Sequence, residues 1–359
     1  MSVEIPKTIK ALVADEKASW ATVKEVPIPE IGENEVLVKV AYVSLNPTDW
    51  KHASFVSVDG VTLGCDFSGE VVKLGSNLKT PLQVGDRVAG SVHGGIYKDK
   101  GSFAEYLKAE SDLIFKLPEQ TKLEEAPTYG IGWGTAGHAL IHSQGHEYPP
   151  SKVDAGEWYI IYGASSSVGL FAVQVAKVLG YKVLAFASPH SFDLVKSYGA
   201  DHVVDYHDEQ KAIKEALEVT GGKGAKFGLD TISSGNSYKI AIGALGEKGY
   251  QLNAILLLPE DAKSINPKVK IANTLLYTIQ GREFNFSPRK KENPNIIPAL
   301  PADRAFGAKF YAATPEFITK YGIKPNPIAL RGGLDTITSG FEELKANKVS
   351  GQKLTHKIA

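Results

Sequence analysis

The sequence predicts an α/β protein in which a parallel-sheet domain is inserted into a β-rich one. Three observations carry that expectation. The first third reads as short strands broken by glycine turns, the middle alternates strands with helices from about Glu157, and the last stretch is too short to bury a core alone. The expected limits are residues 1–125 and 282–359 for the β-rich domain and residues 126–281 for the inserted one.

In chain order, "NEVLVKVAYVSLN" alternates apolar and polar residues, the period of a strand with one wet face. "FSGEVVKLGSN", "VGDRVAGSV" and "GSFAEYLKA" add further short strands. "WYIIYG" is then a strand, "SVGLFAVQVAKVLG" a helix, "KVLAFAS" a strand and "SFDLVKSYG" a helix. "HVVDYH", "FGLDTI" and "YQLNAILL" follow as strands, with "EQKAIKEALEVTG" as an intervening helix. Such alternation builds a parallel sheet with helices on both faces. "NTLLYTIQG" reads as the last strand of that sheet, and the Pro- and Asn-rich "NFSPRKKENPNIIPALP" as an exposed excursion. A helix from about Ala302, the strand "NPIAL" and the helix "LDTITSGFEELKAN" then pack back onto the first segment.

Composition narrows the function classes. Of 359 residues, 43% are hydrophobic and 22% charged, the balance of an ordinary globular protein. Forty basic and forty acidic residues cancel, so no basic excess points to nucleic acid. The single cysteine, Cys65, excludes an internal disulfide framework and a multi-cysteine zinc site. Met1 to Lys10 lacks the apolar core of a signal peptide, and no apolar run approaches membrane-spanning length. The expectation is a cytosolic protein without membrane contact, acting as a monomer or homodimer on a small-molecule substrate.

The chemistry starts at "YGASSSVG". Gly163, Ser166 and Gly169 stand at the three positions of a strand-to-helix phosphate turn. Gly163 lets the chain leave the strand sharply, Gly169 lets the helix pack on the sheet, and the helix N-terminus favours pyrophosphate oxygens. Ser166 blocks the closest backbone approach but adds a hydroxyl that can donate to a phosphate. A βα turn without ligand is the alternative, because a lone glycine fingerprint is weak. The length of the β–α–β run favours a nucleotide and a Rossmann-type domain. At the end of the second strand an NAD-selective fold places an acid on the ribose 2′-hydroxyl. Here Ser188, His190 and Ser191 stand instead, with Tyr206 after the third strand, and such donors suit a 2′-phosphate. NADPH is therefore expected over NADH. Asp193 and Asp205 lie past the selecting position, and Ser188 or Ser191 can also serve as helix caps.

"EVLVKV", "LNPTDWKH", "GCDFSGEVVKLGSN", "VGDRVAG", "GSFAEYL", "GTAG" and "GASSSVG" follow one another in an order that resembles the medium-chain dehydrogenase/reductase superfamily over nearly the whole chain. Within it, "NPTDWK", "SPHSFDL" and "SGQKL" are similar to the zinc-independent quinone and enoyl reductase branch, and most of all to fungal trans-acting enoyl reductases of the lovastatin-pathway type. The resemblance implies a GroES-like fold for the β-rich domain. It also exposes a departure. Zinc members carry a Cys and a His–Glu pair where this chain has Asn46 and Cys65–Asp66, too weak a donor set for tetrahedral zinc. The nine histidines are read as scattered, with no HxxxH or HxH pair beside a carboxylate, so no metal is expected.

Without a Lewis acid, conjugate reduction is easier than carbonyl reduction, since the enolate it forms needs only hydrogen-bond donors and a proton. Related enoyl reductases carry a Tyr where this chain has Lys51, whose ammonium can serve if burial lowers its pKa. Asn46 is a candidate to orient substrate or the nicotinamide ribose. The resemblance puts Thr135 beside the nicotinamide. A turn at Asn46, a solvated Lys51 and a helix cap at Thr135 are the plain alternatives. The expected cofactor-binding set is Thr48, Asp49, Lys51, Thr135, Gly163, Ser165, Ser166, Ser167, Val168, Gly169, Ser188, His190, Ser191, Tyr206, Leu256, Val349 and Ser350. The stretch around Trp133 has room for a substrate beside small residues, although aromatic residues more often fill core, and Cys65, between glycine and aspartate, does not suit a reactive thiolate. The expected activity is NADPH-dependent, zinc-independent reduction of activated C=C bonds, with quinones or aldehydes as further substrates. A nucleotide-binding sensor with little turnover is one alternative. A polyketide synthase partner taking a carrier-protein-bound substrate is the other.

Overall fold

In the computed structural model, residues 5–18, 20–290 and 292–359 are described, so the start of the N-terminal stretch and one lysine of the Pro- and Asn-rich stretch lie outside them. Two compact units divide the chain: Met1–Ile131 with Tyr277–Ala359, and Gly132–Leu276. No helix among the described residues is long and apolar enough to cross a membrane.

The first unit begins with strands β1 (Thr8–Ala14), β2 (Ala21–Pro27), β3 (Glu35–Ser44), β4 (Asp66–Leu74), β5 (Arg87–Ser91), β6 (Tyr106–Glu110) and β7 (Ile114–Lys116). The second unit holds β8 (Trp158–Tyr162), β9 (Lys182–Ala187), β10 (His202–Asp205), β11 (Phe227–Asp230), β12 (Gln251–Ala254) and β13 (Lys270–Asn273). The chain then returns with β14 (Phe284–Asn285), β15 (Ile296–Ile297), β16 (Ile328–Arg331) and β17 (Lys353–Lys357).

The second unit is a parallel sheet in the order β10-β9-β8-β11-β12-β13, which is 3-2-1-4-5-6 when its own strands are counted. Its central strands read as unbroken apolar runs because helices cover both faces. β9, "KVLAFA", is buried at every position after Lys182. The order reverses direction between β8 and β11, and ligands of such sheets bind at the carboxyl ends of the strands there.

The first unit is built on the sheet β16-β17-β3-β4-β5-β7, with β6 also paired to β3. β17, from the returning segment, lies antiparallel to β3 from the first. The core shared by the two segments sets Leu334, Ile337, Phe341 and Leu354 against Trp20, Phe67 and Phe103. An ionic network joins the segments again. The buried Lys100 ammonium is 2.9 Å from both Glu35 and Glu110. Glu110 also receives Arg282 and Arg304, and Arg304 reaches Asp112 at 2.5 Å.

Two readings need correction. "NTLLYTIQG" is not the last strand. β13 ends at its first residue, Asn273, and Leu276–Gln280 is a 3₁₀ turn in which Leu276, Tyr277, Thr278 and Ile279 are all buried, without the alternation of a strand. The helix Ser237–Leu245, between β11 and β12, escaped notice because it is apolar nearly all round. The Pro- and Asn-rich excursion is largely exposed, as expected, and it is also fastened: β14 pairs with β15, and the Arg289 guanidinium donates to the carbonyls of Ala53, Ser54 and Ser57.

Burial pushes the Glu110 carboxyl up, but Lys100, Arg282 and Arg304 outweigh it and bring it down to about 2. A depressed carboxylate stabilises the fold above its ordinary range near 4.5 and loses that contribution as pH falls toward 2. Glu110→Gln should therefore flatten the fall in stability across that window. At neutral pH it should cost about 1–3 kcal/mol, because Lys100 keeps Glu35, Arg304 keeps Asp112 and Arg282 is 40% exposed. Urea unfolding of both proteins over a pH series measures this.

Candidate active site

Each unit carries its own share of the expected residues. In the second, Gly163 ends β8 with φ +73°, a conformation glycine adopts without strain. A Cβ there would meet Thr231 Oγ1 at 2.5 Å and Ile232 at 2.6 Å. At Gly169 it would run into the Gly163 carbonyl and lie 2.7 Å from Ala164 Cα. Both glycines thus hold the turn tight, as their places in the fingerprint require. Ser166 does not offer its hydroxyl outward. It caps the helix Ser167–Val178, accepting the Gly169 N–H at 3.0 Å, and lies 2.9 Å from Thr231 Oγ1. Ser165, Ser167 and Val168 complete the turn at the start of the helix.

The expected 2′-phosphate residues are partly brought together. Ser188 Oγ and Tyr206 Oη are 2.8 Å apart, and His190 is exposed beside them in sequence. Ser191 is buried, 3% exposed, and turns inward instead. The Asp205 carboxylate, at the end of β10, is engaged by the ring and the backbone N–H of His207, which lower its pKa. Thr135 is buried in the helix Ile131–Gly137. Trp133 fills the core against Phe171, with ring centroids 5.6 Å apart, and forms no substrate wall. Leu256 follows β12 with 43% of its surface exposed. The turn and the hydroxyl pair suit a nicotinamide dinucleotide: helix amides for pyrophosphate, neutral donors for ribose or phosphate.

The reading of the histidines was wrong. His138, His142 and His146 stand at successive HxxxH spacings. The His146 nitrogens meet the Leu140 carbonyl at 2.6 Å and the Tyr181 hydroxyl at 2.7 Å, and the rings of His138 and His142 stack with centroids 5.3 Å apart.

In the first unit, Asn46 is the N-cap of the helix Pro47–Lys51, with proline at the first helical position. The Asp49 carboxylate reaches back to the Asn46 N–H at 2.7 Å, so it is turned inward, 1% exposed, and is not presented to a cofactor. Burial, then the neighbouring Asp66, push its pKa up to about 7. The Asn46 amide is likewise spent within the protein. Its Nδ2 donates to Asp66 at 2.9 Å, and its Oδ1 accepts from the Lys353 ammonium at 2.7 Å. Lys353 also donates to Asp66 at 2.6 Å, and the other Asp66 oxygen accepts the Ile131 N–H at 2.7 Å.

Thr48 Oγ1 lies 2.9 Å from the Tyr277 hydroxyl and 3.0 Å from His52 Nδ1. Tyr277 also meets Cys65 Sγ at 3.4 Å, and burial holds the Cys65 thiol well above its ordinary pKa. Lys51 ends the helix half-buried, with Nζ 5.7 Å from the Trp50 ring centroid, and desolvation lowers its pKa. Val349 packs against the core of this unit, whereas Ser350 is exposed. Asp66, Tyr277, Lys353 and Thr231 were not singled out as site residues. The "SGQKL" motif pointed toward Lys353, and Asp66 was noted only as a departure from the zinc-ligand pattern.

Among known families, "Zinc-binding dehydrogenase" matches residues 167–273 and "Alcohol dehydrogenase GroES-like domain" residues 32–119. A trans-enoyl reductase of Alternaria alternata, ACTTS2, is 38% identical over 359 residues, spanning 98% of this chain and 99% of its own. The crystal structure of CurK enoyl reductase superposes with a TM-score of 0.72 at 20% identity, covering 99% of this chain and 100% of its own. Mycobacterial Rv1454c complexed with NADPH also gives 0.72 at 20% identity, covering 97% and 99%. The zinc in the first description does not fit at Asn46 and Asp66. Asp66 is saturated by Lys353, Asn46 and Ile131, and an ammonium already stands between Asn46 and Asp66, where a second cation would be repelled.

Lys353→Met should strand the Asp66 carboxylate without a countercharge and cost about 3–5 kcal/mol. Adding Asp66→Asn should recover most of that loss. Denaturant midpoints of the single and double variants test the coupling, and equal instability of the two would assign Lys353 a packing role only.

Proposed function

The chain belongs to the trans-enoyl reductases, medium-chain reductases with a Rossmann-type cofactor unit and a GroES-like unit, and on that premise we propose that it reduces the conjugated C=C bond of enoyl thioesters with NADPH. It is an enzyme using a nicotinamide cofactor. The observation that carries the reading is the Lys353 ammonium held between Asn46 and Asp66. A carbonyl reductase of this superfamily relies on a metal there to polarise its substrate, whereas conjugate reduction needs only a donor for the enolate.

The chemistry that NADPH would supply when bound is a hydride for the β-carbon of the substrate. The chain's own residues do the rest. Thr135 orients the ring from the cofactor unit, and the glycine-tight turn with the helix amides takes the pyrophosphate. Ser188 and Tyr206, joined at 2.8 Å, bind the 2′-phosphate, with exposed His190 as a third donor. Lys51 stabilises the enolate and delivers the α-carbon proton. Its lowered pKa makes the ammonium a better acid than a solvated lysine. Thr48, fixed by Tyr277 and His52, holds a hydroxyl three residues before it. The relatives' shared description as trans-enoyl reductases supports an acyl chain presented on a separate carrier protein.

Lys51→Met should lower kcat by about 10²–10⁴-fold with NADPH affinity nearly unchanged, the signature of a group needed once charge develops. Rates of NADPH oxidation with free and carrier-bound enoyl thioesters, an enone and an aldehyde test both residue and substrate class. Turnover of the aldehyde alone would sink the C=C assignment. Ser188→Asp should weaken NADPH by about 1–3 kcal/mol relative to NADH, through repulsion and desolvation. Equal affinity of the unaltered protein for the two cofactors would refute the 2′-phosphate site.

A further inference from the structure

The middle position of the phosphate turn is a serine, and its hydroxyl faces a threonine from a different strand connection, 65 residues away. Thr231 Oγ1 lies 2.9 Å from each of three oxygens: the carbonyls of Tyr162 and Gly163, and Ser166 Oγ. A threonine hydroxyl has one proton, and carbonyls can only accept. Its proton therefore goes to the two carbonyls, and its lone pairs take the proton of Ser166. Ser166 in turn accepts the Gly169 N–H at 3.0 Å. The serine's donor and its cap are both committed inside the protein, so this hydroxyl is not a phosphate ligand.

We propose that Thr231 is the positioning residue that lets this turn hold the cofactor's pyrophosphate with serine in place of the middle glycine. The proposal rests on the cofactor reading above and deepens it. Thr231 follows β11 and clamps the end of β8, the two strands at which the sheet order reverses. It occupies the space that a Cβ on Gly163 would claim, 2.5 Å away, so the left-handed glycine and the threonine are fitted to one another. Its N–H donates to the Tyr162 carbonyl at 3.1 Å, and the backbone that follows it is set by Asp230. That buried carboxylate accepts the N–H groups of Ile232 and Ser233 at 2.9 Å and the Ser237 hydroxyl at 2.6 Å. The chain Asp230–Thr231–Ser166–Gly169 thus runs from the end of one strand to the first turn of the cofactor helix. A serine that turned its hydroxyl outward would leave Gly169 uncapped and project a side chain into the pyrophosphate path. Thr231 holds it down.

The test uses NADPH fluorescence titration together with thermal melting on the full chain. Thr231→Val, nearly isosteric, should raise the NADPH dissociation constant by about 10-fold, the weight of one buried hydrogen-bond arrangement. Thr231→Ser keeps the oxygen and should stay within about 2-fold of the unaltered protein. With Ser166→Gly in the background there is no hydroxyl to restrain, and Thr231→Val should then lose much less affinity. Normal NADPH binding by Thr231→Val, whatever its melting temperature, overturns the proposal. So does a Thr231→Ser protein as weak as the valine variant, or an undiminished loss in the Ser166→Gly background. Failure of the unaltered chain to bind either NADPH or NADH would overturn the cofactor reading itself, and the proposal with it.

Discussion

An ammonium and a carboxylate, Lys353 and Asp66, meet at 2.6 Å with almost no access to water, their side chains 2% and 0% exposed. Removing two such charges from solvent is expensive, and their attraction offsets the cost only if every remaining valence is used. Here they are used with little left over. Asn46 supplies a donor and an acceptor, and the Ile131 amide takes the last carboxylate oxygen. The pair therefore dictates three things together: where β17 sits relative to β4 across the intervening β3, how the helix bearing Lys51 begins, and where the backbone lies as the first segment closes. An apolar pair could fill the same volume, but it would not fix the Asn46 amide in one orientation.

The cofactor unit solves a similar problem with neutral groups. A phosphate turn needs a sharp exit from the strand, close helix packing and amides aimed at the ligand. Gly163 and Gly169 meet the first two demands by sterics alone, since neither tolerates a Cβ. The third is met by hydroxyl chemistry across two strands, Ser166 with Thr231. Hydrogen bonds of this kind are individually modest, but in a buried turn each missing partner is costly. Rigid geometry at the turn is the return.

What the sequence disclosed depended on the range of the signal. Strand and helix alternation was legible because buried parallel strands such as β9 leave an unbroken apolar run, and the ordered glycine motifs carried the family. Ser188 and Tyr206 were legible as a pair because both follow strand ends in a fixed topology. The Lys353–Asp66 pair was not, because 287 residues separate partners whose types are ordinary on any surface. Asn46 and Asp49 were assigned to ligands when burial turns both inward, a fact that residue type does not encode. Tyr277 was read as part of a strand, because the apolar Leu275, Leu276, Tyr277 and Ile279 in so short a stretch do not distinguish a pleat from a tight helical turn without knowledge of what they pack against.

The discontinuity of the first unit has a consequence for how the protein is made. Ribosomal synthesis delivers residues 132–276 as a complete parallel sheet well before β17 exists, so the inserted unit can fold while the unit whose segments flank it in sequence is still missing strands. During that interval β3 shows β17 an open edge, and Asp66 is a lone carboxylate in a half-built core. The nascent chain thus passes through a stage with a finished nucleotide fold beside an unfinished, edge-exposed sheet, which is the kind of intermediate that holdase chaperones recognise. Only the arrival of Lys353 neutralises the core and seals the edge in one step, giving synthesis a definite moment at which the enzyme becomes whole.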